Sequence, residues 1–442
     1  MIRSVSRLFL AVLLPLASLA AQESMSLSVD EAIRIAFDKS KALHASEMKV
    51  QYADARSGEA RTALLPTLKF GGAYTRLSNV PSFTVSLPLP PPAPRSFTLA
   101  PAILDNYNLH LTLQQPLFTG WKIRSAVNAA EYSANATQKD YDKDRNDLIY
   151  NTKLAYWNLS KASELATVVS DNVEQIKAHL KDVQNLHTQG LATRNDVLKV
   201  QVQLSEAQLR QIDAQNAVRL GMIALNNTIG LPLDTEVSLT STLDHLPKAS
   251  EPLPALINRA LERRAEIKGM EFRVKAGEAG LAQARSGWFP QFYLTGDYYY
   301  NRPNQRYQPL TDAFKDSWDI GVAVSFDIWN WGATVRQTDA AAAQLAQAQD
   351  GLDQMRDGVT LDVTSNYLNL KRAVEKITVA EQGVRQAEES YRVTRSRFQQ
   401  GLSTNTDLLD AEVALLQAKT NRTQARTDYE LAEAGLERAI GE

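Results

Sequence analysis

The sequence predicts an α+β chain of two similar halves, each of which joins two amphipathic strands to long coiled-coil helices. The first observation is a stretch that occurs twice, as Gly-Leu-Ala-Thr over 190–193 and Gly-Leu-Ser-Thr over 401–404, at an offset of 211 residues. The second is the stretch 121–189, which lacks glycine and proline and is long enough for a helix of roughly 100 Å. The third is the alternation of apolar and polar residues in four short segments.

Composition narrows the class of protein. The chain has 442 residues, of which 44% are hydrophobic and 22% charged, as in ordinary globular proteins. Its net charge of -2 argues against a nucleic-acid partner, which requires a basic surface. Because there is no cysteine, disulfides, thiolate metal sites, cysteine nucleophiles and the acylated cysteine of a lipoprotein are excluded.

The first residues predict export from the cytoplasm. Arg3 and Arg7 precede an apolar run over 8–19, and the stretch Ser-Leu-Ala-Ala over 18–21 offers small residues for cleavage. This pattern is typical of a secretory signal peptide over 1–21, with a buried N-terminal helix as the alternative. No later segment has the ~20 apolar residues that a membrane-spanning helix needs, so the chain enters a membrane only as strands, if at all.

Residues 22–229 form the first predicted repeat. Its helix begins at the capping residue Ser28 and ends before Pro66, and a proline-rich stretch over 78–104 excludes both helix and central strand. The predicted elements are a helix over 29–64, strands over 67–77 and 105–117, a long helix over 121–189 and a helix over 193–229.

The second repeat, 254–442, follows a linker over 230–253. Its predicted elements are a helix over 254–287, strands over 290–301 and 316–328, a long helix over 333–400 and a helix over 404–440. Pro66 and Pro290 are 224 residues apart, whereas the two turns are 211 apart, so the stretch from proline to turn is shorter in the second half. We expect the residues that the second half lacks to fall in the loop between its two strands. Two shorter helices placed end to end match one long helix, which predicts a cylinder wall of uniform height.

The last helix carries a seven-residue repeat of small side chains. The positions are Ala411, Ala418, Ala425, Ala432 and Ala439. A strict seven-residue repeat predicts left-handed supercoiling, and alanine allows the backbones to approach closely. The alternative is an ordinary amphipathic helix rich in alanine.

The four strands predict an oligomer. Each has an apolar face suited to lipid and a polar face suited to a lumen, as in outer-membrane barrels. An open four-stranded sheet in lipid would leave backbone groups unpaired, at several kcal/mol each. Since such barrels have at least eight strands, two copies supply the minimum and three supply twelve with a water-filled lumen. A soluble sheet packed on the helices is the alternative.

With these features the chain resembles the TolC family of outer-membrane efflux and secretion proteins. The likeness covers nearly all of the chain after the signal peptide. It rests on the duplicated halves, the Gly-Leu-x-Thr turns, and Leu-Phe-Thr-Gly over 117–120, which follows Pro116 and is similar to the family's PLFxGG signature. The second copy, over 328–332, is a looser match.

The resemblance implies a homotrimer in the outer membrane of a Gram-negative-type bacterium. A twelve-stranded barrel in the lipid would continue as a twelve-helix periplasmic barrel. The protein would act as a passive exit duct, without cofactor, for an inner-membrane transporter of the RND or ABC type and its periplasmic adaptor. The resemblance places both turns at the periplasmic tip, in contact with the adaptor. The residues concerned are Gly190, Leu191, Thr193, Gly401, Leu402 and Thr404.

The second turn carries the expected gate. Asp407 and Asp410 match the family's Asp-x-x-Asp element and would give a trimer six carboxylates around its periplasmic aperture. Asp196 matches the aspartate of the family latch. The tyrosine and arginine of that latch are replaced by Phe398 and Ser403, so the latch cannot form in its usual way.

Other arginines are candidates for the missing latch partner. Arg194, Arg395 or Arg397 would pair with Asp196, Asp407 or Asp410.

No catalytic motif is present. The five histidines are scattered, without an i,i+4 pair or an apparent carboxylate framework, and there is no P-loop or nucleophile elbow. The sequence therefore predicts neither an enzyme nor a metal site. A periplasmic coiled-coil structural or adaptor protein is the alternative to a channel, although an adaptor would have one hairpin rather than two equal halves.

Overall fold

The structure is a computed structural model and describes residues 25–79, 81–87, 95–100, 102–243 and 251–442. The predicted signal peptide, 1–21, and part of the predicted linker lie outside the described residues. In the first half the elements are β1 Met25–Leu27, α1 Val29–Lys39, α2 Lys41–Thr62, β2 Thr67–Arg76, β3 Phe83–Leu87, β4 Arg95–Ala100, β5 Asp105–Phe118, α3 Lys122–Thr188 and α4 Arg194–Ile229.

The second half has nearly the same order of elements. These are β6 Val237–Leu239, α5 Leu253–Arg263, α6 Ala265–Arg285, β7 Gln291–Arg302, β8 Lys315–Ser325, α7 Ala333–Gln399 and α8 Asn405–Ile440. Three of the four helix pairs have equal lengths in the two halves: 11 residues in α1 and α5, 67 in α3 and α7, and 36 in α4 and α8, whereas α2 has 22 residues and α6 has 21.

The helices expected to run unbroken over 29–64 and 254–287 are each interrupted. Ser40 and Arg264 have extended backbones, with ψ of 111° and 129°. They are 224 residues apart, which is also the separation of Pro66 and Pro290. No glycine or proline marks either site. At the second break, the Arg264 guanidinium donates to Asp362 Oδ2 at 2.7 Å and to the carbonyl of Ala439 at 3.4 Å. Contacts distant in sequence therefore accompany this break, and local sequence signals gave no sign of it.

Four strands form one antiparallel sheet in the order β2-β5-β7-β8. The strand predicted to reach residue 328 stops at Ser325, because the opposite strand begins at Gln291 and offers nothing to pair with later residues. Within the proline-rich segment, β3 and β4 pair as a separate hairpin that the sequence did not indicate. β1 pairs in parallel with β6 from the predicted linker.

The register places apolar side chains on one face of the four-stranded sheet. Leu68 lies opposite Leu113, which lies opposite Gly296, which in turn lies opposite Ile320. The same face carries Phe70, Tyr74, Leu111, Tyr298, Trp318, Val322 and Val324, which are exposed in the single chain. The sheet therefore presents a continuous apolar face to its surroundings.

The chain divides into two compact units that cut across the two halves. One comprises Met1–Lys41, Asp147–Ser250 and Asn366–Arg438; the other comprises Ala42–Asn146, Glu251–Ser365 and Ala439–Glu442. In the first unit, the buried Tyr156 hydroxyl donates to the Leu27 carbonyl at 2.9 Å and accepts from the Ser241 N–H at 3.0 Å. Among the described residues, no helix has an apolar stretch long enough to cross a bilayer.

Candidate functional site

Both repeated turns adopt the same motif at the end of a long helix. Gly190 and Gly401 each have a φ of 73°, in the left-handed region that glycine adopts without strain. The N–H groups of Leu191 and Leu402 each donate to the carbonyl five residues earlier, at 2.8 Å in both cases. These bonds use carbonyls that the helix end leaves free. The two turns therefore share one backbone geometry.

The helices that follow the turns are capped in the same reciprocal way. The N–H of Thr193 donates to Asp196 Oδ2 at 3.0 Å, and the N–H of Asp196 donates back to the Thr193 hydroxyl at 3.2 Å. Thr404 and Asp407 repeat this pair at 2.8 and 3.2 Å. Ser403 adds a hydroxyl donor to Asp407 Oδ2 at 3.1 Å. Each pair is a capping box with aspartate in the third helical position.

These hydrogen bonds stabilise the ionised carboxylates. The hydroxyl and N–H of Thr193 lower the pKa of Asp196. The N–H and hydroxyl of Thr404, with the Ser403 hydroxyl, lower the pKa of Asp407. Two aspartates expected at an aperture and a latch thus have a second, local task, which is to cap their own helices.

The remaining charged residues of the prediction are exposed. Asp410 lies one turn beyond Asp407, and Arg194 begins its helix with its side chain in solvent. Within the part of the chain that the structure describes, Arg194, Arg395 and Arg397 form no ion pair with the turn aspartates. A link between these groups on different copies of the chain stays a prediction.

The leucine after each turn glycine is exposed. Leu191 is 73% exposed and Leu402 is 65% exposed, although the corresponding residue of this motif often packs against its helix. Each turn therefore presents one large apolar side chain at its end.

Two residues of the second turn reach into the interior between helices. Phe398, at the position of the family's latch tyrosine, is buried with Val173, Ile176 and Leu408. Asn405, the first residue of α8, is buried and donates to the Asp196 carbonyl at 3.4 Å. The second turn is thereby joined to the first, a contact that the sequence analysis missed because nothing local in the sequence indicates it.

A buried polar pair lies deeper between the same helices. His179 of α3 and Glu412 of α8 place Nδ1 and Oε2 3.2 Å apart, and both side chains are 2% exposed. Their other polar atoms, Nε2 and Oε1, have no hydrogen-bond partner among the residues that the structure describes. The rings of Phe398 and His179 pack edge to face, with their centres 5.3 Å apart. The sequence showed no carboxylate framework for any histidine, because these partners are 233 residues apart.

The pair lines a cavity of about 370 Å³ with Asp171, Asp182, Tyr391 and Arg395 among its other walls. Burial raises the pKa of the Tyr391 hydroxyl, which therefore remains protonated. Among the described residues, no group of three histidine, cysteine or carboxylate side chains is arranged to hold a metal ion.

In the described part of the chain, the two outer strands of the four-stranded sheet, β2 and β8, each have one edge without a neighbouring strand. Side chains on these edges are highly exposed: Phe70 at 70%, and Trp318 and Ile320 at 68% each. Unpaired strand edges with apolar side chains are a template for pairing with another chain.

Comparison with known proteins gives consistent matches over most of the chain. A family model described as outer membrane efflux protein matches residues 32–231 and 256–442. Outer membrane protein TolC of Escherichia coli K12 is 24% identical over 392 residues, covering 87% of this chain and 76% of its own length. AprF of Pseudomonas aeruginosa, an alkaline protease secretion protein, is 24% identical over 340 residues, covering 75% and 69%.

Solved structures show the same fold. The outer membrane protein VceC of Vibrio cholerae has a TM-score of 0.78 at 20% identity and covers 93% of this chain and 96% of its own. CusC has the same TM-score at 16% identity and covers 93% and 92%. The arrangement of helices and strands is therefore shared even where few residues are identical.

Proposed function

The chain belongs to the outer membrane efflux protein family, and from this we propose that it is the outer-membrane exit duct of a tripartite efflux pump or a type I secretion system. In this proposal export through the duct is passive, and an inner-membrane transporter supplies the energy. The observation that carries the proposal is the four-stranded sheet, which combines a continuous apolar face with two unpaired edges.

The sheet edges support a homotrimer in the lipid of the outer membrane. Backbone groups left unpaired in lipid cost several kcal/mol each, so β2 of one copy pairs with β8 of the next until the sheet closes. Two copies would give eight strands, a barrel just wide enough to be filled by side chains. Three copies give twelve strands and leave room for water, which export requires.

The matched helix lengths support a periplasmic barrel of twelve helices, built from two equivalent halves in each chain. α3 and α7 have 67 residues each, and α4 and α8 have 36 each, although the corresponding strands β2 and β7 differ in length. Equal lengths are expected where each helix occupies an equivalent place in a common wall. An internal tandem duplication gives this equivalence within a single chain.

The turns are the proposed contact with a periplasmic adaptor, which connects the duct to an inner-membrane transporter of the RND or ABC type. The exposed Leu191 and Leu402 offer each turn an apolar anchor for that contact. Gly190, Thr193, Gly401 and Thr404 fix the backbone that presents these leucines.

The acidic positions of the second turn form the proposed aperture. Three copies of Asp407 and Asp410 place six carboxylates around one axis, which favours cations and disfavours anions. Asp410 is the freer of the two, because one oxygen of Asp407 is held by its cap. The positive charges for ion pairs between copies come from the guanidinium groups of Arg194, Arg395 and Arg397.

The duct is tested with the purified protein and with fractionated membranes. We expect the chain in the outer membrane, a trimer in unheated electrophoresis that separates on boiling, and ion conductance in planar bilayers. A soluble periplasmic monomer without conductance would overturn the proposal and would favour a periplasmic structural protein.

The aperture has its own test, with position 199 as matched control, since Lys199 in the first turn corresponds to Asp410. Asp410→Asn should lower the preference of the open channel for cations over anions, measured from the reversal potential in a salt gradient. Lys199→Gln should leave that preference unchanged or slightly raised. Equal preferences in the wild type, Asp410→Asn and Asp407→Asn channels would exclude these carboxylates from the aperture.

A further inference from the structure

The loop between β7 and β8 contacts the outer edge of β8 and also the face of the sheet opposite the apolar one, where the Arg306 guanidinium lies 5.1 Å from the centre of the Tyr299 ring. In an antiparallel ladder, backbone groups point alternately toward one neighbour and the other. The Thr295 hydroxyl on β7 donates to the carbonyl of Gly321 at 3.3 Å, so odd-numbered residues of β8 point toward β7. Even-numbered residues of β8 therefore direct their backbone groups outward, to the unpaired edge.

Two of these outward carbonyls already have a partner in the same chain. The Tyr307 hydroxyl donates to the carbonyl of Asp316 at 2.9 Å, and Arg306 Nη1 donates to that of Trp318 at 3.1 Å. Arg306 also forms an ion pair with Asp319. We call the loop over 303–312 the strap.

The strap is held in place at both ends. The buried Asn304 donates its amide to the Lys315 carbonyl at 3.1 Å and to the Ser317 hydroxyl at 3.0 Å. Arg302 and Asp312 form a two-point ion pair at 2.7 and 3.1 Å across its base. These four hydrogen bonds restrain the strap at its two ends.

Beyond the strap, toward Ser325, the outward backbone groups of Ile320, Val322 and Val324 are left for a neighbouring strand. On the opposite edge of the sheet, the Thr67 hydroxyl donates to the Gln114 carbonyl at 3.4 Å. By the same alternation, the outward residues of β2 are Leu68, Phe70, Gly72, Tyr74 and Arg76. The open part of β8 is thus shorter than the edge that pairs with it.

We propose that β2 of a second copy of this chain pairs with β8 only over Ile320–Ser325. The strap covers the rest of the β8 edge, toward Lys315. The inference rests on the proposed function, because it assumes that these two edges meet in the assembled barrel. Arg306 and Tyr307 supply the donors that a neighbouring strand would otherwise supply to Trp318 and Asp316. The seam between copies is therefore shorter than the seams within a copy, where β7 pairs with β8 along Gln291–Asn301.

Because the chain has no cysteine, introduced pairs report on the seam without interference. One series, called the lower series, tests the part of β8 over Ile320–Ser325. It combines Val322→Cys with Leu68→Cys, Phe70→Cys or Gly72→Cys. Antiparallel partners run in opposite directions, so the matching upper series shifts both strands by four residues. It combines Trp318→Cys with Gly72→Cys, Tyr74→Cys or Arg76→Cys.

Disulfides within one chain cannot contribute. The edges are separated by three strand spacings, roughly 14 Å, whereas a disulfide needs Cβ atoms within about 4.5 Å. After oxidation in outer membranes, we expect one lower pair to give covalently linked oligomers. The matching upper pair should give a yield about an order of magnitude lower, since its Cβ atoms lie beyond bonding distance.

A second experiment removes the strap contacts and measures the same disulfide yields. Arg306→Ala combined with Tyr307→Phe should raise the yield of the upper pair toward that of the lower pair. The neighbouring exposed Gln305→Ala is the matched control and should leave it low. Each variant is first checked for trimer migration in unheated gels.

The outcomes separate the two proposals. An upper yield equal to the lower one with the strap intact, or one unchanged by Arg306→Ala with Tyr307→Phe, overturns the short seam and leaves the barrel standing. Absence of linked oligomers in every lower pair of a chain found in the outer membrane overturns edge pairing, and with it the proposed duct.

Discussion

The two turns have the same backbone but different surroundings. Gly190 and Gly401 share a φ of 73°, and both following helices have the same cap. At the offset of 211, however, the exposed His187 corresponds to the buried Phe398, and the exposed Arg194 corresponds to the buried Asn405. The glycine and threonine positions set the turn, whereas the positions around them decide whether it is anchored in the protein interior. The second turn places the aromatic ring of Phe398 and the amide of Asn405 in the interior, whereas Ala192 and Val197 of the first turn pack there only partly buried.

The largest difference between the turns should come from the aromatic anchor. Phe398→Ala leaves a cavity among buried side chains, so we expect a loss of about 3 kcal/mol or more in the free energy of unfolding. The exposed His187, at the corresponding position of the first turn, has only a hydrogen bond to the Ala192 carbonyl at 2.9 Å to lose, so His187→Ala should change it by about 1 kcal/mol or less. Urea unfolding in detergent, followed by circular dichroism, measures both. Equal losses would mean that the two turns are anchored alike.

The buried pair should give the next largest effect. Glu412→Ala leaves the buried His179 without its hydrogen-bond partner, at a cost of about 2 kcal/mol. The corresponding residue of the first half is Gln201, which is exposed, and Gln201→Ala should have little effect. The same urea series compares them. A negligible loss in Glu412→Ala would show that the pair does not stabilise the contact between α3 and α8.

The glycines should give equal effects, because here the turns do not differ. Gly190→Ala and Gly401→Ala each force a side chain into the left-handed region, at about 1 kcal/mol. A Cβ atom at either position meets no other atom within 4 Å, so only backbone strain contributes. Thermal midpoints of the two variants should agree. Unequal midpoints would show that one of the turns makes contacts beyond its own chain.

The smallest effect should be the pH dependence of the caps. The pKa values of Asp196 and Asp407 are lowered from the usual value of about 3.9. A carboxyl group with a lowered pKa adds stability above its unfolded pKa and loses it as the pH falls through the folded pKa. Asp196→Asn and Asp407→Asn should both reduce the fall in thermal midpoint below about pH 4. Unchanged profiles would argue that these caps do not contribute.

The sequence could predict features that depend on neighbouring residues. The ends of the long helices follow from glycine and threonine at the turns, and β2 and β5 follow from alternation and from Pro66. The identity of the gate residues could be proposed only from the family resemblance, and no contact within one chain tests it.

Features that depend on distant residues could not be predicted. The break at Arg264 involves contacts with Asp362 and Ala439, and the partner of His179 stands on another helix. The end of β8 at Ser325 is set by where its partner strand begins. In each case the decisive group lies far along the chain, where local periodicity carries no information.

The equal helix lengths of the two halves have a consequence for how this gene can change. A single-codon insertion in α3 or α7 would rotate all later residues by about 100° and remove the match of 67 residues with the other half. A compensating deletion in the same helix, or a matching insertion in the other half, would restore it. The loops between strands carry no such constraint, and the two halves already differ there in length. A library of random in-frame insertions should therefore survive selection in those loops and be lost from the helices.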